Sequence, residues 1–119
     1  MADFLSTREG SVTVLTVSGR LDPSSGKDLR DSIDRIVDAD GKADLLVDLS
    51  GLDYMASAGF RELFLAGRKL ARQGARLAVC GLCGEVKRVF ELARFDTAYP
   101  IYPSRAEAVA DLGASASGS

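Results

Sequence analysis

Two short apolar runs constrain this chain more than any other feature. Residues 43–49 read ADLLVDL and residues 76–80 read RLAVC. Nearly continuous apolar runs of this length mark strands buried on both faces. The segment between them has a different period. From Ser57 onward, Phe60, Leu63, Phe64, Gly67 and Leu70 form one helical stripe, and Gln73-Gly74 closes it with a C′ glycine. Strand, helix and buried strand in that order imply a mostly parallel sheet with helices packed on it.

The rest of the chain repeats the alternation. Residues 11–18 (SVTVLTVS) place Val12 and Val14 on one strand face and Leu15 and Val17 on the other. Residues 4–8 can pair with them as a hairpin across Glu9-Gly10. Gly19-Arg20-Leu21-Asp22-Pro23 is expected to break that strand. Asp22 and Pro23 then read as N-cap and first position of a helix that carries Leu29, Ile33, Ile36 and Val37 and stops at Asp40-Gly41. Residues 50–58 read as a connection. Residues 84–95 read as a third helix, with Val86, Val89, Phe90 and Ala93 inward. Residues 99–102 read as a short strand that Pro100 pushes to a sheet edge. Ser104 and Glu107 form a capping box for a last helix ending at Gly113. The expected fold is one α/β domain over residues 1–113: a small, mostly parallel mixed sheet with about four helices. Residues 114–119 follow as a mobile tail of small residues. A chain of 119 residues holds one such domain.

Composition removes several chemistries. The chain has no histidine, which excludes Ser-His-Asp and Cys-His nucleophilic sites and His-ligated zinc. Fifteen Lys and Arg against 17 Asp and Glu give a net charge of -2, without the basic excess of a nucleic-acid binder. No apolar run approaches the ~18 residues of a membrane span, so no direct membrane insertion and a cytoplasmic location are expected. No glycine loop is followed by Lys-Ser/Thr to cradle a phosphate. No metal or cofactor is expected.

Ser57 is the residue with the most chemical interest. It lies between Ala56 and Ala58, just ahead of Gly59, at the start of a helix. Helix N-termini offer free N–H groups and partial positive charge, and a phosphate on Ser57 would meet both. The plainer reading is an N-cap worth ~1 kcal/mol. Arg61, one turn on, either pairs with such a phosphate or is simply solvated. Cys80-Gly81-Leu82-Cys83 has the spacing of a dithiol redox site, but Cys80 reads as the last inward residue of a strand, and buried packing thiols are the simpler account. Asp22, Asp48 and Asp53 fall in separate segments and read as turn or cap residues.

The run Asp48-Leu49-Ser50 followed by Ala56-Ser57-Ala58-Gly59-Phe60 resembles the signature of the STAS domain family, the anti-sigma factor antagonists of bacteria. That signature reads D-L-S, then D-S-S-G-L at the head of the second helix. Gly19-Arg20-Leu21-Asp22 resembles the family's G-x-L-D turn, and Glu85 to Leu92 its third helix. Two positions depart from the pattern: Ala56 stands where the motif has Asp, and Arg61 where it has a second glycine. The resemblance implies a non-enzymatic module that binds an anti-sigma factor with serine kinase activity and so frees a sigma factor. It implies phosphorylation at Ser57 by that kinase, reversed by a phosphoserine phosphatase. The implied partner surface joins Gly19, Arg20, Leu21 and Asp22 to Ala56, Ser57, Ala58, Gly59 and Arg61. The alternative is a STAS accessory subunit of a transport, lipid-trafficking or other signalling assembly, not regulated at Ser57.

Overall fold

The computed structural model describes residues 2–40 and 42–117. Five strands form one sheet in the order β1-β2-β3-β4-β5. β1 (Ala2–Glu9) runs antiparallel to β2 (Val12–Leu21), turning at Gly10 with φ +63°. β3 (Asp44–Met55), β4 (Leu77–Cys80) and β5 (Ile101–Tyr102) then add in parallel. Four α-helices connect or cover them: α1 (Gly26–Asp40), α2 (Ser57–Arg72), α3 (Gly84–Leu92) and α4 (Arg105–Ser117). The mixed α/β architecture expected from the apolar runs is the one found.

The two faces of the sheet are covered unequally. Leu15, Val17, Leu45, Val47, Leu77 and Val79 face α1, α2 and α3 and make the main core. Val12, Val14, Leu46, Ala78 and Cys80 face the other way, onto Ala108 and Leu112 of α4. This is why the central runs are nearly continuous in apolar residues: most of their side chains meet a helix on one side or the other.

Several boundaries differ from expectation, each for a physical reason. β2 does not break at Gly19. It bends through two register shifts, with Gly19 at φ +92°, and continues to Leu21. β3 likewise does not stop at Leu49. Its residues 51–55 pair with the extended end of β2, so the segment read as a connection satisfies its backbone groups in a ladder. α3 ends at Leu92, so Ala93 is exposed rather than inward. Arg94 then turns left-handed (φ 54°) and delivers fully buried Phe95 into a ring cluster with Phe64, Phe90 and Tyr99. Tyr99 belongs to that cluster, leaving only Ile101 and Tyr102 in the edge strand. α4 continues past Gly113 to Ser117, since alanines sustain a helix through one glycine at a cost of about 1 kcal/mol. The expected tail therefore begins inside this helix, and residues 118–119 lie outside the described residues, as does Gly41.

Candidate functional site

The two segments singled out in the sequence meet at the carboxyl edge of the sheet. Leu21 ends β2 and Met55 ends β3, directly paired. The Ala56 N–H donates to the Leu21 carbonyl at 2.8 Å, so the start of α2 is tied to the end of β2. Gly59 closes the join. A Cβ there would lie 2.6 Å from Leu21 Cδ2 and 3.0 Å from Met55 Cγ, so only glycine lets α2 approach this closely. A Cβ on Gly26 would just touch Ala58 Cβ at 3.4 Å, which brings the head of α1 against the same turn.

Ser57 is exposed, and it is the first residue of α2 rather than its cap. The cap is Ala56, whose side chain can make no capping hydrogen bond. The plainer reading of Ser57 as N-cap is thereby corrected. Its hydroxyl makes no hydrogen bond among the described residues. The Gly59 N–H turns back to the Ala56 carbonyl at 2.9 Å, and the first turn is otherwise left to solvent or a ligand. α2 carries no acidic residue in this turn, so its positive end is not neutralised from within.

Asp22 does not serve Ser57. Its Oδ1 accepts from Ser24 Oγ (2.7 Å), Ser25 Oγ (2.8 Å) and Ser25 N (3.1 Å), capping the short 3-10 turn Pro23–Ser25 that leads into α1. Hydrogen bonds from Ser24 and Ser25 hold its carboxyl below the usual carboxylate range. The expected cap role is found, displaced from α1 itself to that turn. Arg61 is exposed and forms no ion pair among the described residues.

Arg20 and Tyr54 pair across β2 and β3, with the guanidinium carbon 4.6 Å from the ring centroid. Both are exposed. Tyr54 was not among the sequence-predicted surface residues, because a residue in a supposed connection has no assignable face. Once β3 is known to reach Met55, its position beside Arg20 follows.

Sequence reasoning also missed a partly buried network centred on Asp48. Asp48, only 5% exposed, accepts from Arg105 Nε on Oδ2 at 2.9 Å and from Ser50 N on Oδ1 at 3.0 Å. Arg105 also donates to Thr16 Oγ1 (2.7 Å) and Glu9 Oε2 (3.3 Å). Burial pushes the Asp48 carboxyl up, but the Ser50 and Arg105 contacts outweigh it and hold the group below its ordinary value. A signal existed: a carboxylate inside ADLLVDL needs a cation somewhere in the chain. Nothing in the sequence says which cation.

Cys80 is fully buried under α4, and Cys83 is exposed at the cap of α3. Burial, then the Asp48 charge, pushes the Cys80 thiol up to about 12. Such a thiol stays protonated at neutral pH, the reverse of what a redox pair requires. Among the described residues, no group of three or more Cys, Asp and Glu side chains could hold a metal ion, and no helix is long and apolar enough to cross a membrane. Asp22, Asp48 and Asp53 lie in separate places, but only Asp22 is the turn cap the sequence suggested; because β3 runs on to Met55, Asp48 is a buried strand residue paired with Arg105 and Asp53 an exposed one.

A mixed sheet with three helices on one face, one on the other, and a serine opening the second helix defines a STAS-type domain. Residues 4–108 match the model of the STAS domain family, and the chain belongs to that family. Over 70 residues it is 36% identical to BtrV of Bordetella bronchiseptica, a protein named as an anti-sigma factor antagonist. That match covers 59% of this chain and 60% of BtrV, so the chain spans less than two thirds of that relative's length. Its fold is similar to that of an anti-sigma factor antagonist from Mycobacterium paratuberculosis, with a TM-score of 0.85 at 24% identity over 94% of each chain. It is also similar to SpoIIAA of Bacillus. The unphosphorylated form superposes with a TM-score of 0.78 at 18% identity, over 90% of this chain and 93% of SpoIIAA. The phosphorylated form gives 0.72 at 16%, over 92% and 99%.

Proposed function

We propose that this chain is an anti-sigma factor antagonist. It binds an anti-sigma factor with serine kinase activity, releases the sigma factor that the latter holds, and is switched off by phosphorylation of Ser57. The observation that carries the reading is Ser57 itself: an exposed hydroxyl without a hydrogen bond among the described residues, at the first position of α2. The names of the similar proteins support the class of partner. The partner surface is Gly19, Arg20 and Asp22 with Ser57, Ala58 and Arg61, extended by Tyr54 beside Arg20; Leu21, Ala56 and Gly59, which the sequence placed on it, are buried and hold the join beneath it. Phosphate adds a charge of about -1.5 to -2 in the centre of that surface. A hundredfold loss of affinity needs about 2.7 kcal/mol, within reach of such a charge pressed into a tight interface. A phosphoserine phosphatase restores binding.

A second reading keeps the fold and drops the switch: an accessory STAS subunit of another assembly. Ala56 favours it. A buried methyl stands where the family signature has a carboxylate, and the Asp22 carboxylate is committed to the turn before α1. The test is affinity capture from native-cell lysate with Ser57→Ala and Ser57→Asp baits, followed by incubation of the wild-type chain with the captured protein and ATP. The switch reading expects a kinase-type ATPase on the alanine bait, its loss from the aspartate bait, and phosphate on Ser57 by mass spectrometry. Identical partners on both baits, with Ser57 unmodified, would establish the accessory reading instead.

A further inference from the structure

β1 is an open edge of eight residues, and no described segment pairs with its outer side. In an antiparallel pair every second residue of such an edge turns both N–H and C=O outward, so β1 offers about four unpaired positions. The opposite edge, β5, has two residues. Beneath the β1 edge runs a groove against α1. Three clefts of 670, 330 and 280 Å³ follow one another along it, sharing Phe4, Ser32 and Arg35 at one junction and Ser6, Ile36 and Ala39 at the next. Its middle is floored by half-buried Phe4 and Ile36.

The end of the groove near Ala2 is acidic. Asp3, Asp28, Asp31 and Asp38 line it, all exposed, and none forms an ion pair among the described residues. Asp34 lies there too but is held by Lys69 at 2.9 Å. Arg35 is the single cation in that lining. The carboxylates are spread along the groove and, among the described residues, form no metal cluster.

We infer that this groove takes an extended, cationic segment of a partner protein, added to β1 as a sixth strand. Its backbone satisfies the outward groups of β1, an apolar side chain seats over Phe4 and Ile36, and basic side chains reach Asp3, Asp28, Asp31 and Asp38. Charge selects this occupant over a second copy of the chain. Pairing β1 with β1 continues the sheet through a two-fold axis and sets the two α1 helices side by side, acidic rim against acidic rim. The inference is separate from the Ser57 switch and rests on different residues.

The test uses the whole chain labelled with nitrogen-15 and two blocked peptides of alternating valine and threonine. One ends in two lysines and the other in two glutamates. The lysine peptide is expected to shift the amide resonances of residues 2–9 and 28–39, equally in wild type and Ser57→Asp. The glutamate peptide is expected to bind at least about tenfold more weakly, and an Asp28→Asn/Asp31→Asn variant to lose about the same factor for the lysine peptide. N-methylation of alternate lysine-peptide residues in one register should abolish the shifts, because it removes the donors that strand addition needs. Equal binding of both peptides, or shifts confined to other elements, would overturn the inference. Concentration-dependent shifts of residues 2–9 without peptide would assign the edge to a second copy and overturn it equally.

Discussion

Gly59 lies under Leu21 so closely that a single added methyl would stand 2.6 Å from the leucine Cδ2. Leu21 is fully buried and its carbonyl already holds the Ala56 N–H. This one contact fixes the distance between the end of β2 and the start of α2, and with it the geometry of the whole candidate surface.

Gly59→Ala should therefore cost stability without removing any polar group. Leu21 and Met55 are both enclosed and cannot yield freely, so the expected loss is about 1–3 kcal/mol. Chemical denaturation followed by circular dichroism measures it. An unchanged midpoint would mean that the join between β2 and α2 is looser than the structure requires.

Arg105 and Asp48 should act as a pair. Asp48→Ala leaves a guanidinium without its main partner; because the Arg105 side chain is 36% exposed, the expected cost is about 2–3 kcal/mol, below that of a fully buried pair. A double-mutant cycle with Arg105→Met should show most of that cost shared between the two changes. The pH dependence follows from the lowered pKa of Asp48. Its carboxylate contributes stability in full above the unfolded-state pKa of about 3.9, and the contribution is lost as pH falls through the lower folded value. Asp48→Asn should lessen the drop in stability that acid causes below about pH 4, read from midpoints at a series of pH values.

The two cysteines should behave oppositely toward iodoacetamide. Cys83 is exposed, whereas Cys80 is enclosed beneath α4 with its thiol pushed up to about 12. At pH 8 in native buffer, mass spectrometry should find rapid labelling of Cys83 and none of Cys80 until denaturant is added. Prompt labelling of Cys80 would mean that α4 opens readily.

Tyr54 should matter for partner binding and little for the fold. The residue is 40% exposed, and the Arg20 guanidinium lies over its ring. Tyr54→Ala is expected to change stability by less than about 0.5 kcal/mol, while affinity for the protein captured on the Ser57→Ala bait falls about tenfold or more, as for aromatic and arginine centres of interfaces. Calorimetric titration against wild type distinguishes the two effects.

What the sequence determined by itself was everything set by local pattern. Apolar runs on both faces of a strand, helical stripes, the Asp22-Pro23 start and the Ser57 helix head are all short-range signals. They sufficed for one α/β domain, for the order of its elements and for the two segments that meet at the carboxyl edge. The tertiary structure decided what depends on partners distant in the chain. β2 and β3 reach Leu21 and Met55 because each supplies the other's ladder, which no local propensity reports. Asp48 found Arg105, 57 residues away, because Arg105 opens α4, which packs against β3. Ser57 became an exposed first residue rather than a cap because the Ala56 N–H was drawn to Leu21, setting where the helix begins. The acidic groove exists only where α1 packs beside an unpaired strand. Its carboxylates stand 10 or fewer residues apart on α1, but Asp3 joins them from another element. Local energetics choose the elements, whereas close packing and the pairing of buried polar groups choose which residues share a site.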